Sequence, residues 1–291
     1  MVKVNESNQT LRLEDGRSLG YAEWGDPSGF PLVHFHGSSS SRLEHPIQQE
    51  VLAGVRLVTI DRPGHGLSDF QPERTLLDWP NDVVALADHL GIEQFALSGW
   101  SAGGPYALAC AYRIPERLTA VGLVSSFGPY DRPGATEGMD RFNKVTLATM
   151  RHMPWALTQR LTGMMGRAFA KDPEGTAGRR FASSPAPDQK ALSDPRATDM
   201  LLASMIESFR PGSDGSAWEA RLFTRPWGFP LQDIAIPVTL WHGDADANSP
   251  LNTGEYLART IPDASLTVFS DEGHFFILTR WGEITRHLTG T

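Results

Sequence analysis

The 291-residue chain contains a single cysteine, Cys110, and no long apolar run. One cysteine excludes an intrachain disulfide and any metal or iron–sulfur site built from several thiolates. No apolar stretch reaches the ~18 residues that a membrane-spanning helix needs. The N-terminal sequence MVKVNESNQT lacks the apolar core of a signal peptide, so we expect a cytoplasmic protein.

Positive charge is also scarce, since 26 Lys and Arg are outnumbered by 34 Asp and Glu, which leaves a net charge of −8. An acidic chain repels phosphate backbones and anionic lipid, so we expect neither a nucleic-acid partner nor a membrane partner. Hydrophobic residues make up 40% of the chain and charged residues 21%, as is typical of a compact globular fold. We therefore expect a protein that acts on a small molecule, as a monomer or a homodimer.

Short apolar segments dominate the secondary-structure pattern. Two alternating runs separated by Asp15-Gly16 predict an N-terminal β-hairpin, because this dipeptide supplies the positive φ of a tight turn. Further apolar runs bounded by turn residues indicate buried parallel strands, and helical patterns such as 82–90 lie between several of them. This alternation predicts an α/β fold with a mostly parallel sheet of eight strands. The strands after the hairpin are predicted at 31–35, 55–60, 94–97, 120–124, 238–241 and 266–269.

The alternation of strands and helices stops after Val124 and resumes only at Val238. The interval 128–230 has Pro and Gly at both ends and helix-compatible stretches within it. We predict that it is a helical cap, or lid, inserted into a catalytic core made of residues 1–127 and 231–291.

The predicted cap has an unusual composition. Seven of the eight methionines lie in it, between Met139 and Met205. Methionine is flexible and polarisable and suits an adaptable apolar pocket, so we expect the cap to set substrate choice. A stretch rich in Gly, Ser, Ala and Pro at 171–195 predicts a mobile loop within it.

The strongest local signal is the sequence Gly99-Trp100-Ser101-Ala102-Gly103, which follows a predicted strand and precedes a run of small and apolar residues typical of a helix. The pattern G-x-S-x-G in this context is typical of a nucleophile elbow, where a serine occupies a strained turn between strand and helix. The glycines are needed because side chains two residues either side of the serine would collide.

A serine hydroxyl needs a base to take its proton, and the base needs an acid to orient it. Asp246 and His274 each follow a predicted strand downstream of the elbow, in the order Ser, Asp, His. Asp244, Asp271 and Glu272 lie close to them in sequence and are alternative acids.

Outside the predicted cap, the sequence resembles the α/β-hydrolase superfamily, in particular its capped serine hydrolases of the esterase and proline-iminopeptidase-like branch. The resemblance implies the α/β-hydrolase fold, a mostly parallel eight-stranded sheet flanked by helices with a helical cap insertion. Besides the elbow, the segments that carry it are YAEWGDP from Tyr21, His36-Gly37, DRPGHGLSD from Asp61, HGDADANSP from His242, and Gly273-His274.

The resemblance implies a role for each residue of the site. Ser101 would be the nucleophile, His274 the base and Asp246 the acid, because Asp246 has the family's spacing from the preceding glycine. The backbone N–H groups of Ser38 and Ala102 would bind the oxyanion, which agrees with the outward-pointing N–H groups at a helix N-terminus.

We expect a hydrolase that cleaves a carboxylic ester or lactone with an apolar moiety through an acyl-enzyme. Each aromatic or methionine residue of the cap could instead bury the cap helices against one another. The side chains expected to bind substrate are Trp100, Met150, Met153, Trp155, Trp218 and Phe275.

Other functions remain open at this point. The chain could be an aminopeptidase with Glu219 as the cap carboxylate, a carbon–carbon bond hydrolase, or a triad-bearing ligand receptor, lyase or perhydrolase. We expect no metal, because neither the His34 and His36 pair nor His242 with Asp244 has a clear third ligand. We also expect no cofactor, because Gly64-His65-Gly66 does not continue into a dinucleotide-binding pattern.

Overall fold

One β-sheet organises the structure, a computed structural model that describes residues 6–290. Its strands are β1 (Glu6–Arg12), β2 (Ser18–Gly25), β3 (Phe30–Phe35), β4 (Val55–Ile60), β5 (Phe95–Trp100), β6 (Leu118–Val124), β7 (Val238–Gly243) and β8 (Ala264–Phe269). The eight strands lie in the order β1-β2-β4-β3-β5-β6-β7-β8. Strand β2 pairs antiparallel with β1 and β4, and all other neighbours in the sheet are parallel. The predicted mostly parallel, eight-stranded sheet is confirmed.

Helices cover both faces of this sheet. The helices are α1 (Trp79–His89), α2 (Gly103–Arg113), α3 (Arg141–His152), α4 (Trp155–Lys171), α5 (Pro173–Ala182), α6 (Ala186–Ala191), α7 (Pro195–Ser208), α8 (Asp214–Phe223), α9 (Leu251–Thr260) and α10 (Ile277–Thr289). Neighbouring strand residues point to opposite faces, so Val33 joins a cluster with Leu108 of α2, whereas Leu32 joins one with Trp281 of α10. The sheet is therefore buried on both sides, which explains its nearly continuous apolar strands.

Among residues 6–290, helices α3 to α8 lie between β6 and β7. This is the interval 128–230 that was predicted as a cap, and it is called the inserted segment below. No helix in the described part of the chain is long and apolar enough to cross a membrane.

The prediction of a loop at 171–195 is wrong, because α5 and α6 occupy most of this stretch. Proline explains the difference. Pro173 and Pro195 are the first residues of α5 and α7, a position where the missing N–H costs no helical hydrogen bond and the fixed φ favours the helix. In this stretch the prolines therefore start helices.

Part of the inserted segment packs into the core. Ala191 of α6 and Met200 of α7 are buried in the same cluster as Phe276 and Trp281. Phe181 of α5 contacts this cluster from its edge. Helices α5 to α7 are therefore continuous with the hydrophobic core on one face of the sheet.

Replacement of Gly103 by Ala is expected to lower the free energy of unfolding by about 1–3 kcal/mol, because the packing around Gly103 leaves no space for a methyl group. A Cβ at this position would lie 2.1 Å from the Phe35 carbonyl oxygen, which is backbone and cannot move aside. The measurement is urea denaturation followed by circular dichroism. Gly178→Ala is the matched control, since Gly178 is exposed on α5 with open space around it and should gain about 0.5–1 kcal/mol. Equal effects of the two substitutions would contradict the tight packing at Gly103.

Candidate active site

The turn between β5 and α2 holds Ser101 in a strained conformation. Its φ is +54°, in the left-handed region that non-glycine residues rarely adopt. The Ser101 N–H donates to the Val124 carbonyl and its own carbonyl accepts from Phe127 N–H, each at 2.9 Å. A Cβ on Gly99 would lie 2.7 Å from the carbonyl oxygen of Gly103, and a Cβ on Gly103 would lie 2.1 Å from that of Phe35, so both positions need glycine. The local geometry is that of the predicted nucleophile elbow.

Three side chains form a hydrogen-bonded row at this turn. The Ser101 hydroxyl donates to His274 Nε2 at 2.9 Å, and His274 Nδ1–H donates to Asp246 Oδ2 at 2.8 Å. All three side chains are buried. With Nδ1 protonated and fixed on the carboxylate, Nε2 is the ring nitrogen that can accept a proton from the hydroxyl. The alternative acid Asp244 is exposed and instead accepts the Asp271 N–H at 2.8 Å.

The surroundings of Asp246 favour its ionised form. Its second oxygen accepts the N–H groups of Asn248 at 2.9 Å and Ser249 at 2.8 Å. Burial alone would raise the pKa of Asp246, but His274, His242 and the Ser249 N–H together hold the pKa below its ordinary value. A carboxylate that stays charged in a buried site can orient the imidazole and stabilise an imidazolium.

The two N–H groups that were expected to bind an oxyanion lie at the start of α2 and just after β3. In the described residues neither the Ala102 nor the Ser38 N–H donates a hydrogen bond. The two loops are in close contact, since a Cβ on Gly103 would lie 3.0 Å from the His36 carbonyl oxygen. Two backbone N–H groups without a partner in the described chain therefore lie close to Ser101: Ala102 follows it directly, and Ser38 lines the same cavity.

A buried carboxylate that the sequence analysis missed holds the loop around Ser38. Glu44 accepts the Gly37 N–H at 3.2 Å and the Ser40 hydroxyl at 2.7 Å. Its other oxygen is 2.8 Å from Nε2 of His34. No sequence motif marks Glu44, because its partners come from a strand and a turn that only the fold brings together.

The same loop is bonded to the inserted segment. Ser204 Oγ of α7 lies 2.8 Å from the Ser40 hydroxyl and accepts the Ser41 N–H at 2.9 Å. These contacts are fully buried. Helix α7 therefore fixes the loop that carries Ser38 as well as packing on the core.

The histidines considered as metal ligands have other partners. His34 Nδ1 lies 2.8 Å from Ser98 Oγ, and His36 Nδ1–H donates to the Gly37 carbonyl at 2.9 Å. His242 Nε2–H donates to the Ser249 carbonyl at 2.6 Å. Within residues 6–290, no group of three or more His, Cys, Asp or Glu side chains has the geometry of a metal site.

A cavity of about 250 Å³ opens beside Ser101 and His274. Of the six side chains expected to bind substrate, Trp100, Met150 and Phe275 line it. Its wall is mainly apolar and comes largely from the inserted segment. The further apolar side chains that line it are Phe127, Tyr130, Met139, Leu147, Met165, Phe181, Leu201, Met205, Phe209 and Phe223.

The predicted pocket residues Met153, Trp155 and Trp218 do not line this cavity. Trp155 and Trp218 instead pack edge to face, with ring centres 5.2 Å apart. For Trp218 the reason is the phase of α8. The cavity face of this helix carries Glu219 and, one turn further, Phe223, whereas Trp218 lies on the adjacent face. The sequence showed that aromatic residues are present but not which way each helix is turned.

Glu219 lines the cavity but is already paired. Arg62 donates to both of its oxygens, the second at 3.1 Å, and the Tyr106 hydroxyl donates to Oε1 at 3.1 Å. Burial alone would raise the pKa of Glu219, but Arg62, His65 and Arg74 lower the pKa to about 2. The carboxylate is therefore charged, and the guanidinium of Arg62 compensates its charge within a buried cluster.

The protein belongs to the α/β-hydrolase family, since the family described as alpha/beta hydrolase fold matches residues 29–280. The chain is 32% identical over 227 residues to the pimeloyl-[acyl-carrier protein] methyl ester esterase of Aromatoleum aromaticum, covering 76% of this chain and 81% of that protein. It is 30% identical over 269 residues to the 2-hydroxymuconate semialdehyde hydrolase of Pseudomonas sp. strain CF600, covering 85% and 81%. The structure of a hydrolase from Pseudomonas aeruginosa PA01 shares the fold, with a TM-score of 0.71 at 20% identity over 98% of this chain and 99% of that one.

Asp246→Asn is expected to lower kcat for a p-nitrophenyl ester by about 10⁴-fold, because the amide no longer holds His274 in the tautomer that accepts a proton at Nε2. The matched control is Asp244→Asn, two residues away on the same loop, which keeps an acceptor for the Asp271 N–H. The control should retain wild-type kcat. A large loss in Asp244→Asn with little loss in Asp246→Asn would assign the acid to Asp244.

Proposed function

We propose that the protein is a carboxylesterase that hydrolyses an ester or lactone with an apolar moiety through an acyl-enzyme. The observation that carries the proposal is the hydrogen-bonded row of Ser101, His274 and Asp246 at the floor of a cavity with mainly apolar walls. The family and its esterase relative agree with this reaction. The inserted segment would act as the cap that selects the substrate.

The geometry supports a two-step reaction. Ser101 Oγ attacks the carbonyl carbon while His274 Nε2 takes the hydroxyl proton, and the N–H groups of Ser38 and Ala102 stabilise the oxyanion. His274 then gives its proton to the leaving alcohol, and the ester bond breaks. Water then attacks the acyl carbon while His274 takes its proton. The bond between the acyl carbon and Ser101 Oγ breaks, His274 returns the proton to Oγ, and the carboxylic acid leaves. Asp246 stays ionised throughout, which agrees with its lowered pKa.

The wall of the cavity favours an uncharged, apolar substrate. Met139, Met150, Met165 and Met205 contribute flexible thioethers, and no Lys or Arg of the described chain lines the cavity. A volume of about 250 Å³ lies just below the range of typical small-molecule pockets, about 300–1,000 Å³. We infer a small apolar acyl or alcohol group without charge.

The surroundings of Glu219 weigh against an aminopeptidase. Such an enzyme needs a carboxylate that is free to bind the substrate ammonium group. Glu219 is the carboxylate of the inserted segment that lines the cavity, and Arg62 and Tyr106 already satisfy it. Releasing it would leave a buried guanidinium unpaired, which is costly.

Carbon–carbon bond hydrolysis is the second candidate, because the 2-hydroxymuconate semialdehyde hydrolase matches 85% of the chain. A muconate semialdehyde is an anion, and a buried carboxylate group needs a cation or several donors. The absence of Lys and Arg from the described cavity wall therefore favours the ester over this substrate.

The test is a series of p-nitrophenyl esters from acetate to octanoate. We expect kcat/KM to rise about fourfold for each added methylene until the cavity is full, since burial of a CH₂ contributes about 0.8 kcal/mol. Met150→Ala should flatten this rise, because Met150 is buried and lines the cavity. The matched control is Met164→Ala, since Met164 is 55% exposed and lies outside the cavity wall.

Two results would contradict the proposal. A preference for acetate over all longer esters would overturn the apolar substrate class. Stoichiometric labelling of Ser101 by a fluorophosphonate, without turnover of any ester, would favour a ligand receptor or the carbon–carbon hydrolase instead. Ser101→Ala should abolish both labelling and turnover.

A further inference from the structure

One acidic side chain of the inserted segment reaches the loop that carries His274. Asp188, on α6, is 0% exposed, and its Oδ1 accepts the Phe275 N–H at 2.9 Å. Phe181 of α5 packs edge to face against the Phe275 ring at 5.9 Å. The residue after the proposed base is therefore held by helices that are far from it in sequence.

Glycine at position 273 permits this contact. A Cβ there would lie 2.2 Å from Asp188 Oδ1 and 2.5 Å from its Cγ, and the three nearest atoms all belong to Asp188. Gly273 has no positive φ that would require glycine for its backbone conformation. Glycine next to the histidine therefore leaves the space that the Asp188 carboxylate occupies.

Trp100 and Asp188 hold the same peptide group from opposite sides. The carbonyl of His274 accepts the indole N–H of Trp100 at 3.2 Å, and the N–H of the following residue donates to Asp188. In a trans peptide these two groups point in opposite directions within one plane. These two hydrogen bonds fix the orientation of the peptide plane between residues 274 and 275. They thereby fix the direction in which the His274 side chain leaves the backbone.

The buried carboxylate of Asp188 is only partly satisfied by hydrogen bonds. Asp188 Oδ2 is buried and has no hydrogen-bond partner in the described chain. Burial raises the pKa of Asp188, and the N–H groups of Phe275 and His274 oppose this shift only in part. A buried carboxylate oxygen without a partner is rare in native proteins and calls for a functional explanation.

We propose that Asp188 is a positioning residue that orients His274 through the peptide between residues 274 and 275. The inference rests on the proposed role of His274 as the base. Asp188 does not line the cavity, so it acts on the geometry of the 2.9 Å contact between His274 and Ser101 and leaves substrate binding to other side chains. The inserted segment thereby contributes to catalysis as well as to specificity.

The first test compares Asp188→Ala with Asp188→Asn. Loss of the acceptor should lower kcat about 10-fold to 100-fold, because small misplacement of a base is costly. The KM should change by less than about twofold, since no ground-state contact is lost. Asn keeps an oxygen that accepts the Phe275 N–H and should restore most of kcat. The matched control is Asp194→Ala, which removes the N-cap contact to Arg196 on the neighbouring helix and should leave kcat unchanged.

The second test is a double-mutant cycle with Gly273→Ala. In the wild-type background the added methyl group should displace the Asp188 carboxylate and lower kcat as Asp188→Ala does. In the Asp188→Ala background it should cost little more, so the two effects are not additive. Additive losses, or wild-type kcat in Asp188→Ala, would overturn the proposal.

The labelling rate of Ser101 by a fluorophosphonate separates this proposal from the proposed function. Labelling needs only the reactive Ser101–His274 pair and no ester substrate. Slower labelling in Asp188→Ala than in wild type supports the positioning role even if no ester of the series is hydrolysed. Equal labelling rates overturn the positioning role alone, and absence of labelling in the wild type overturns both proposals.

Discussion

The close approach of β5 and α2 at Ser101 is the constraint on which the rest of the site depends. Ser101 adopts a left-handed conformation between Gly99 and Gly103, at the carboxyl end of the central strand β5, and lines the cavity directly before α2 begins. Only small residues fit there, since Gly103 faces the Phe35 carbonyl at a distance that leaves no room for a methyl group. The strain of the turn is balanced by the buried hydrogen bonds from β6 and the residues after it.

Three buried polar contacts connect the loops around Ser101 to the inserted segment. Glu219 is paired with Arg62, Ser204 bonds the loop at Ser40, and Asp188 bonds the histidine loop. Each contact would be costly to break, because it would leave a buried charge or donor without a partner. The inserted segment is therefore bonded to the loops around Ser101 and His274, although the chain reaches it only after β6 is complete.

The sequence was sufficient to predict what depends on local pattern. The strands follow from apolar runs bounded by turns, and the elbow follows from its glycine spacing in a strand–turn–helix context. The assignment of Asp246 and His274 as partners of Ser101 follows from the resemblance to the α/β-hydrolase superfamily. Glu44 and Asp188 were missed, because no motif precedes a lone carboxylate whose partners come from distant elements. The orientation of each helix in the inserted segment was equally hidden, since its residues are apolar on more than one face. These features are set by tertiary packing, which a single sequence does not reveal.

The attachment of α6 and α7 to both catalytic loops has a consequence for chimeras built from related hydrolases. An exchange of the whole segment 128–230 would remove the partners of Ser40 and Phe275 along with the substrate wall. Helices α3 and α4 contribute Met150 and Met165 to the cavity, and α3–α4 provides neither of these two loop contacts. A graft confined to α3 and α4 would replace part of the cavity wall. It would leave in place Asp188 and Ser204, which bond the loops that carry His274 and Ser38.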